Sequence, residues 1–120
     1  MRRILEIIAI GEALTGLALV VSPTLVTGFL LGATVEGTGI IACRVAGFAL
    51  IGLGLACWPR ATNKPSQLGM LVYSLVVTIY LSLLGIGGDA KGILLWPAVA
   101  VHATITLLLA RMWFDAKKPN

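Results

Sequence analysis

Residues 3–21 read RILEIIAIGEALTGLALVV. As a helix this stretch rises about 28 Å, close to the thickness of a bilayer's hydrocarbon core. Two carboxylates interrupt it, and they are not equivalent. Glu6 lies about one turn inside the helix end and can face water. Glu12 lies near the centre, where an ionisable group is costly and needs either a partner or a purpose. Arg2 and Arg3 precede the run, as basic residues precede a secretory signal. The glutamates break its apolar core, however, and no small-residue cleavage site follows, so the run reads as a retained membrane helix.

Three further apolar runs of similar length follow. The spans expected are about 3–21, 38–58, 68–87 and 92–113, within a single integral membrane domain covering residues 1–120. With 58% hydrophobic and 12% charged residues in 120, the composition is that of a polytopic membrane protein. The runs are continuous rather than alternating and too long for barrel strands. The expected fold is therefore all-α, an antiparallel bundle of four transmembrane helices. No internal repeat or low-complexity tract is apparent.

The connections differ in character. SPTLVTGFLLGATVEGTG, residues 22–39, is too apolar for a solvated loop and too short to span. Ser22 followed by Pro23 has the order of a helix start, which predicts a short interfacial helix from Pro23 to about Leu31 on the outer surface. PRATNKPSQ, residues 59–67, reads as a polar loop, and GIGGDAKG, residues 85–92, as a tight outer turn.

The net charge of +4 does not point to nucleic acid, because the basic residues lie between and beyond the apolar runs. Arg2, Arg3, Arg60, Lys64, Arg111, Lys117 and Lys118 fall on one side of an alternating four-helix topology. Lys91 falls on the other, beside Glu36 and Asp89. The positive-inside rule then places both termini in the cytoplasm. Trp58, Trp96 and Trp113 fall near helix ends, where interfacial rings are expected. Cys43 and Cys57 lie about 21 Å apart along one helix, beyond disulfide reach, and read as small apolar fillers. No metal site is expected.

Counted from the cytoplasmic end of each helix, Glu12 lies about 14 Å deep, His102 about 16 Å, Tyr80 about 20 Å, Arg44 about 21 Å and Tyr73 about 9 Å. Arg44 is the cation nearest in depth to Glu12. The expectation is a buried Glu12–Arg44 ion pair, with Tyr80 and His102 completing its hydrogen bonds. Thr15 and Gly16 beside Glu12, and Gly47 and Gly54 on the Arg44 helix, form small-residue stripes suited to close helix packing within the chain or with a partner.

No nucleophile, metal cluster or phosphate loop is visible, so no enzymatic activity and no cofactor are expected. The reading is a non-enzymatic accessory or structural membrane component. Its partners would be the lipid bilayer and another membrane protein or a second copy, with no nucleic acid. One alternative is proton-coupled transport of a small solute by Glu12 and His102. Another is a haem b- or quinone-binding membrane anchor, in which a symmetric dimer supplies His102 twice and Arg44 meets a propionate.

Two resemblances bear on these alternatives. Around IAIGEALTG, residues 8–16, the chain resembles small multidrug-resistance transporters in size, helix number and the first-helix glutamate, which in that family exchanges a proton for a cation. The family's aromatic and glycine motifs are not matched. LLGATVEGTGIIACRVAGFALIGLGLACWP, residues 30–59, resembles small bacterial four-helix membrane proteins near the DoxX-like group, with an arginine and glycine opening a glycine-rich second helix. That likeness covers about a quarter of the chain. It implies a compact antiparallel four-helix bundle in a bacterial inner membrane and carries no common chemistry.

Overall fold

The computed structural model describes residues 2–58 and 64–118, whose regular structure is helical, with no strand among them. Five helices follow in order: α1 Arg2–Val21, α2 Pro23–Leu31, α3 Thr38–Cys57, α4 Lys64–Gly87 and α5 Leu95–Asp115. Four of them, α1, α3, α4 and α5, are long and apolar enough to cross a membrane. Their outward surface is rich in Leu, Ile, Val and Phe. Ile7, Leu14, Val45, Phe48, Leu83 and Leu107 are each more than half exposed, as lipid-facing residues of a bundle are.

The helices form two tight pairs, α1 with α3 and α4 with α5, and the pairs touch each other only lightly through α3 and α4. Glycine explains the first pair. A Cβ on Gly16 would stand 2.5 Å from the carbonyl oxygen of Gly47, and one on Gly47 would stand 2.5 Å from that of Gly16. One turn-pair further along, a Cβ on Gly54 would stand 2.7 Å from the carbonyl oxygen of Ala9. The register is antiparallel, and it uses the small-residue stripes within the chain to bring two backbones together. Two apolar clusters close the bundle. Leu5, Ile8, Ala9, Cys57, Met70, Ile105 and Leu109 fill the end that carries the termini. Leu81, Ala90 and Leu95, with Leu30 and Leu31 packed on them, fill the opposite end.

The short α2 has the bounds its sequence predicts. Pro23 fits the first turn, where its missing N–H leaves no intrahelical bond unmade. Gly32 ends the helix at φ 73°, donating its N–H to the carbonyl of Gly28. Two boundaries differ from expectation. α4 starts at Lys64 rather than 68, because Pro65 sits in its first turn, where proline is tolerated. Lys64 is thus helical rather than in the loop, while Arg60, with the rest of residues 59–63, lies outside the described residues. α5 starts at Leu95 rather than 92. The preceding segment is committed elsewhere: Lys91 donates its N–H to Leu31 O at 2.9 Å and Leu94 to Phe29 O at 2.8 Å. This clasp ties the end of α2 to the start of α5.

Candidate functional site

The buried face of α1 runs Leu5, Ile8, Ala9, Glu12 and Gly16, at spacings of three and four that make one helical stripe. Glu12 therefore points inward because its neighbours on the stripe do, and only 7% of its side chain is exposed. Opposite it stands His102 of α5, whose Nδ1 lies 3.8 Å from Glu12 Oε1. Tyr73 of α4 completes the group. Its side chain hydrogen-bonds the Glu12 carboxyl group, and its ring meets the His102 ring edge-on, with centroids 5.7 Å apart and planes at 81°. Thr106, one turn on from His102, donates its hydroxyl to the His102 carbonyl at 2.8 Å.

Of the four residues expected in the polar core, the structure brings together Glu12 and His102 and leaves out the other two. Arg44 does not pair with Glu12. It is exposed, and its Nε donates to the carbonyl of Val20 at 3.2 Å. The cause is the end of α1. The last carbonyls of a helix have no intrahelical partner and carry the negative end of its dipole, and they lie directly beside Arg44. Glu12 lies about 12 Å back along α1 from Val20.

Tyr80 is also outside, 61% exposed. The buried stripe of α4 runs through Met70, Ser74 and Leu81, which puts both tyrosines at its edge. Tyr80 lies about 20° further out than Tyr73, the drift of one heptad on a straight helix. At the level of Tyr73 the His102 ring covers that edge. Tyr73 is therefore the site residue that the depth count passed over. Counted from Lys64 it lies about 14 Å in, level with Glu12.

These placements predict additivity. Arg44→Ala should cost about 0.5–1.5 kcal/mol through the lost α1 cap. Glu12→Gln should cost its own amount at a separate place. The double variant should equal the sum within about 0.5 kcal/mol, measured by equilibrium unfolding in mixed micelles; restoration of stability in the double variant would mean that the two side chains do pair.

Around Glu12, Tyr73 and His102 the two helix pairs leave a cavity of about 890 Å³. Its walls are mostly aliphatic: Ile8 and Leu19 of α1, Leu50 of α3, Val77 and Leu81 of α4, and Ala98 and Ile105 of α5. α2 roofs it with Val26, Leu30 and Leu31. The mouth opens sideways. α1 and α5 touch through side chains, in the cluster of Leu5, Ile8, Ile105 and Leu109 and at Glu12–His102, and exposed residues of both, Ile7, Gly11 and Thr15 on one side and Pro97 and Val101 on the other, line the gap between them. Arg44 is not part of this lining. Among the described residues no three His, Cys, Asp or Glu side chains come together as a metal centre would need.

The chemistry available is that of a hydrogen-bonding group set in an apolar chamber: a carboxyl, an imidazole and a phenol at mid-depth, reached from the side. Comparison of the chain with protein-family models, with curated proteins and with solved structures finds no match.

Proposed function

We propose that the protein is a non-enzymatic membrane component that holds an apolar, membrane-dissolved molecule between its two helix pairs. The observation that carries this reading is the 890 Å³ cavity, a size common among small-molecule sites, with aliphatic walls and a mouth between α1 and α5. A chamber opening sideways among lipid-facing residues is filled from the bilayer. A few polar groups at its inner end give orientation. The chain sits in a bacterial inner membrane with both termini cytoplasmic; the charge bias of the connections and the resemblance of residues 30–59 support this placement.

Proton-linked transport is the second reading, and the 3.8 Å approach of His102 to Glu12 favours it. Two titratable groups this close at mid-depth can pass a proton between them. The haem alternative lacks its propionate partner, because Arg44 lies outside the cavity and is engaged by Val20.

Gly11 provides the test. It lines the mouth, and a Cβ there meets nothing within 4 Å. Gly11→Trp should fold normally and plug the cavity. Native mass spectrometry of protein released in a mild detergent should show a bound small molecule on the wild type and at least about tenfold less of it on the variant, the order expected when a ligand's apolar contacts are displaced. Equal loading of the two would refute a ligand in this cavity.

A further inference from the structure

His102 lines the cavity, yet its Nδ1 is sealed from it, has no hydrogen-bond partner and is turned toward Glu12. The ring therefore presents its opposite edge, with Nε2, to the chamber. Where Glu12 is the acceptor of this contact, the imidazole proton lies on Nδ1, and Nε2 is left with a lone pair. At 3.8 Å the Nδ1 contact is longer than a hydrogen bond, and a movement of about 1 Å closes it. Tyr73 also stands at the carboxyl group. The inner end of the cavity thus offers an acceptor, backed by a carboxylate and fixed in direction.

From this geometry we infer that the ligand is a lipophilic hydroxyl compound, an alcohol or phenol on a long apolar chain, whose O–H donates to His102 Nε2 while its chain leaves between α1 and α5. The inference rests on the cavity-binding reading above and names the ligand class for it.

Charge narrows the choice. No lysine or arginine lines the chamber, so the carboxylate of a fatty acid or the phosphate of a phospholipid would enter without a counterion and meet Glu12. Burying an unpaired charge in such a place is prohibitive. An ammonium head is attracted by Glu12, but that side chain is only 7% exposed, with Tyr73 and His102 against it. Ethers and ketones only accept hydrogen bonds and so leave the lone pair of Nε2 unmatched, whereas a hydroxyl supplies the missing proton.

The experiment compares probes of one chain length on the full protein in nanodiscs of neutral lipid: farnesol, farnesyl methyl ether, farnesylamine, farnesoic acid and a long-chain alkylphenol, each scored by native mass spectrometry. Farnesol or the alkylphenol should bind about tenfold better than the ether, the range of one net hydrogen bond in an apolar site, and whichever binds better separates an alcohol source from a phenol source. His102→Ala should remove that preference, so that alcohol and ether bind alike. Since His102 is the chain's one histidine, its ¹⁵N spectrum reads the tautomer directly. Protonated Nδ1 and bare Nε2, with Nε2 shifting when farnesol is added, is the expected result.

Equal binding of alcohol and ether, a preference for the amine or acid, or a proton on Nε2 would overturn the hydroxyl assignment while leaving the cavity reading standing. Binding of none of the probes, together with full loading of Gly11→Trp by the native molecule, would overturn both.

Discussion

Gly47→Val should abolish the folded protein, whereas Gly52→Val five residues along the same helix should be tolerated. At Gly47 a Cβ meets the carbonyl oxygen of Gly16 at 2.5 Å, the Val20 side chain at 2.8 Å and the Leu19 Cβ at 3.1 Å. The first of these is backbone, so no rotamer change relieves it. The contact is reciprocal at Gly16 and is repeated at Gly54 against Ala9. A valine must therefore push α1 and α3 apart along their whole shared face. Helices in a bilayer gain little from the hydrophobic effect between themselves, and close van der Waals packing holds this pair together. Overpacking of a well-fitted interior typically costs about 1–3 kcal/mol, and a backbone clash belongs at or above the top of that range. At Gly52 a Cβ meets nothing within 4 Å, and the added methyls face lipid. The measurement is the folded fraction of each variant in a detergent-denaturation series, with accumulation in the membrane as a second readout. A stable Gly47→Val protein would mean that α1 and α3 are not packed as described.

How the parts of the molecule could be read from the chain follows from where their determinants lie. The long helices and α2 are written in local signals: apolar runs of membrane length, Ser22–Pro23 at a helix start and Gly32 at its end. The inward direction of Glu12 is local too, since Leu5, Ile8, Ala9 and Gly16 share its stripe. The partners of Glu12 are not local. Arg44 was the natural side-chain candidate, but its partner is the main-chain carbonyl of Val20, and every helix end supplies such carbonyls whatever the residue type. Tyr73 is hidden by a boundary: a helix begun near 68 instead of Lys64 makes it about two-thirds as deep as it is, and Tyr80 is then the closer match in depth. The cavity itself has no sequence signature. It comes from the way two helix pairs meet, and the chain does not state which pairs form.

Gly92→Val should open the roof of the cavity without separating α1 from α3. A Cβ on Gly92 would run into the carbonyls of Leu30 and Phe29, both backbone. Phe29 also receives the Leu94 N–H in the clasp, and Leu31 receives that of Lys91. The facing segment of the clasp is equally constrained, since Gly32 has φ +73° and a Cβ there would stand 2.9 Å from the Lys91 carbonyl carbon. A valine at 92 must therefore break both inter-segment hydrogen bonds. Each is worth about 0.5–1.5 kcal/mol net, and the exposed groups lose further by being unpaired near the apolar roof. The amide protons of Lys91 and Leu94 should then exchange about a hundredfold faster, the consequence of roughly 3 kcal/mol of lost local protection. Gly28→Ala, where a Cβ meets nothing within 4 Å, should leave their exchange unchanged. α2 contributes Val26, Leu30 and Leu31 to the cavity, so its release admits water from the end opposite the chain termini. Apolar contact and a low local dielectric both strengthen the hold on a ligand at Glu12, Tyr73 and His102. The amount of the proposed ligand retained through purification should fall with the clasp, although Glu12, Tyr73 and His102 are unchanged. Unaltered exchange at Lys91 and Leu94 would show that the clasp is not what fixes α2. Fast exchange with full ligand retention would show that the roof is dispensable and that the cavity is sealed by the apolar cluster around Leu81 and Leu95 alone.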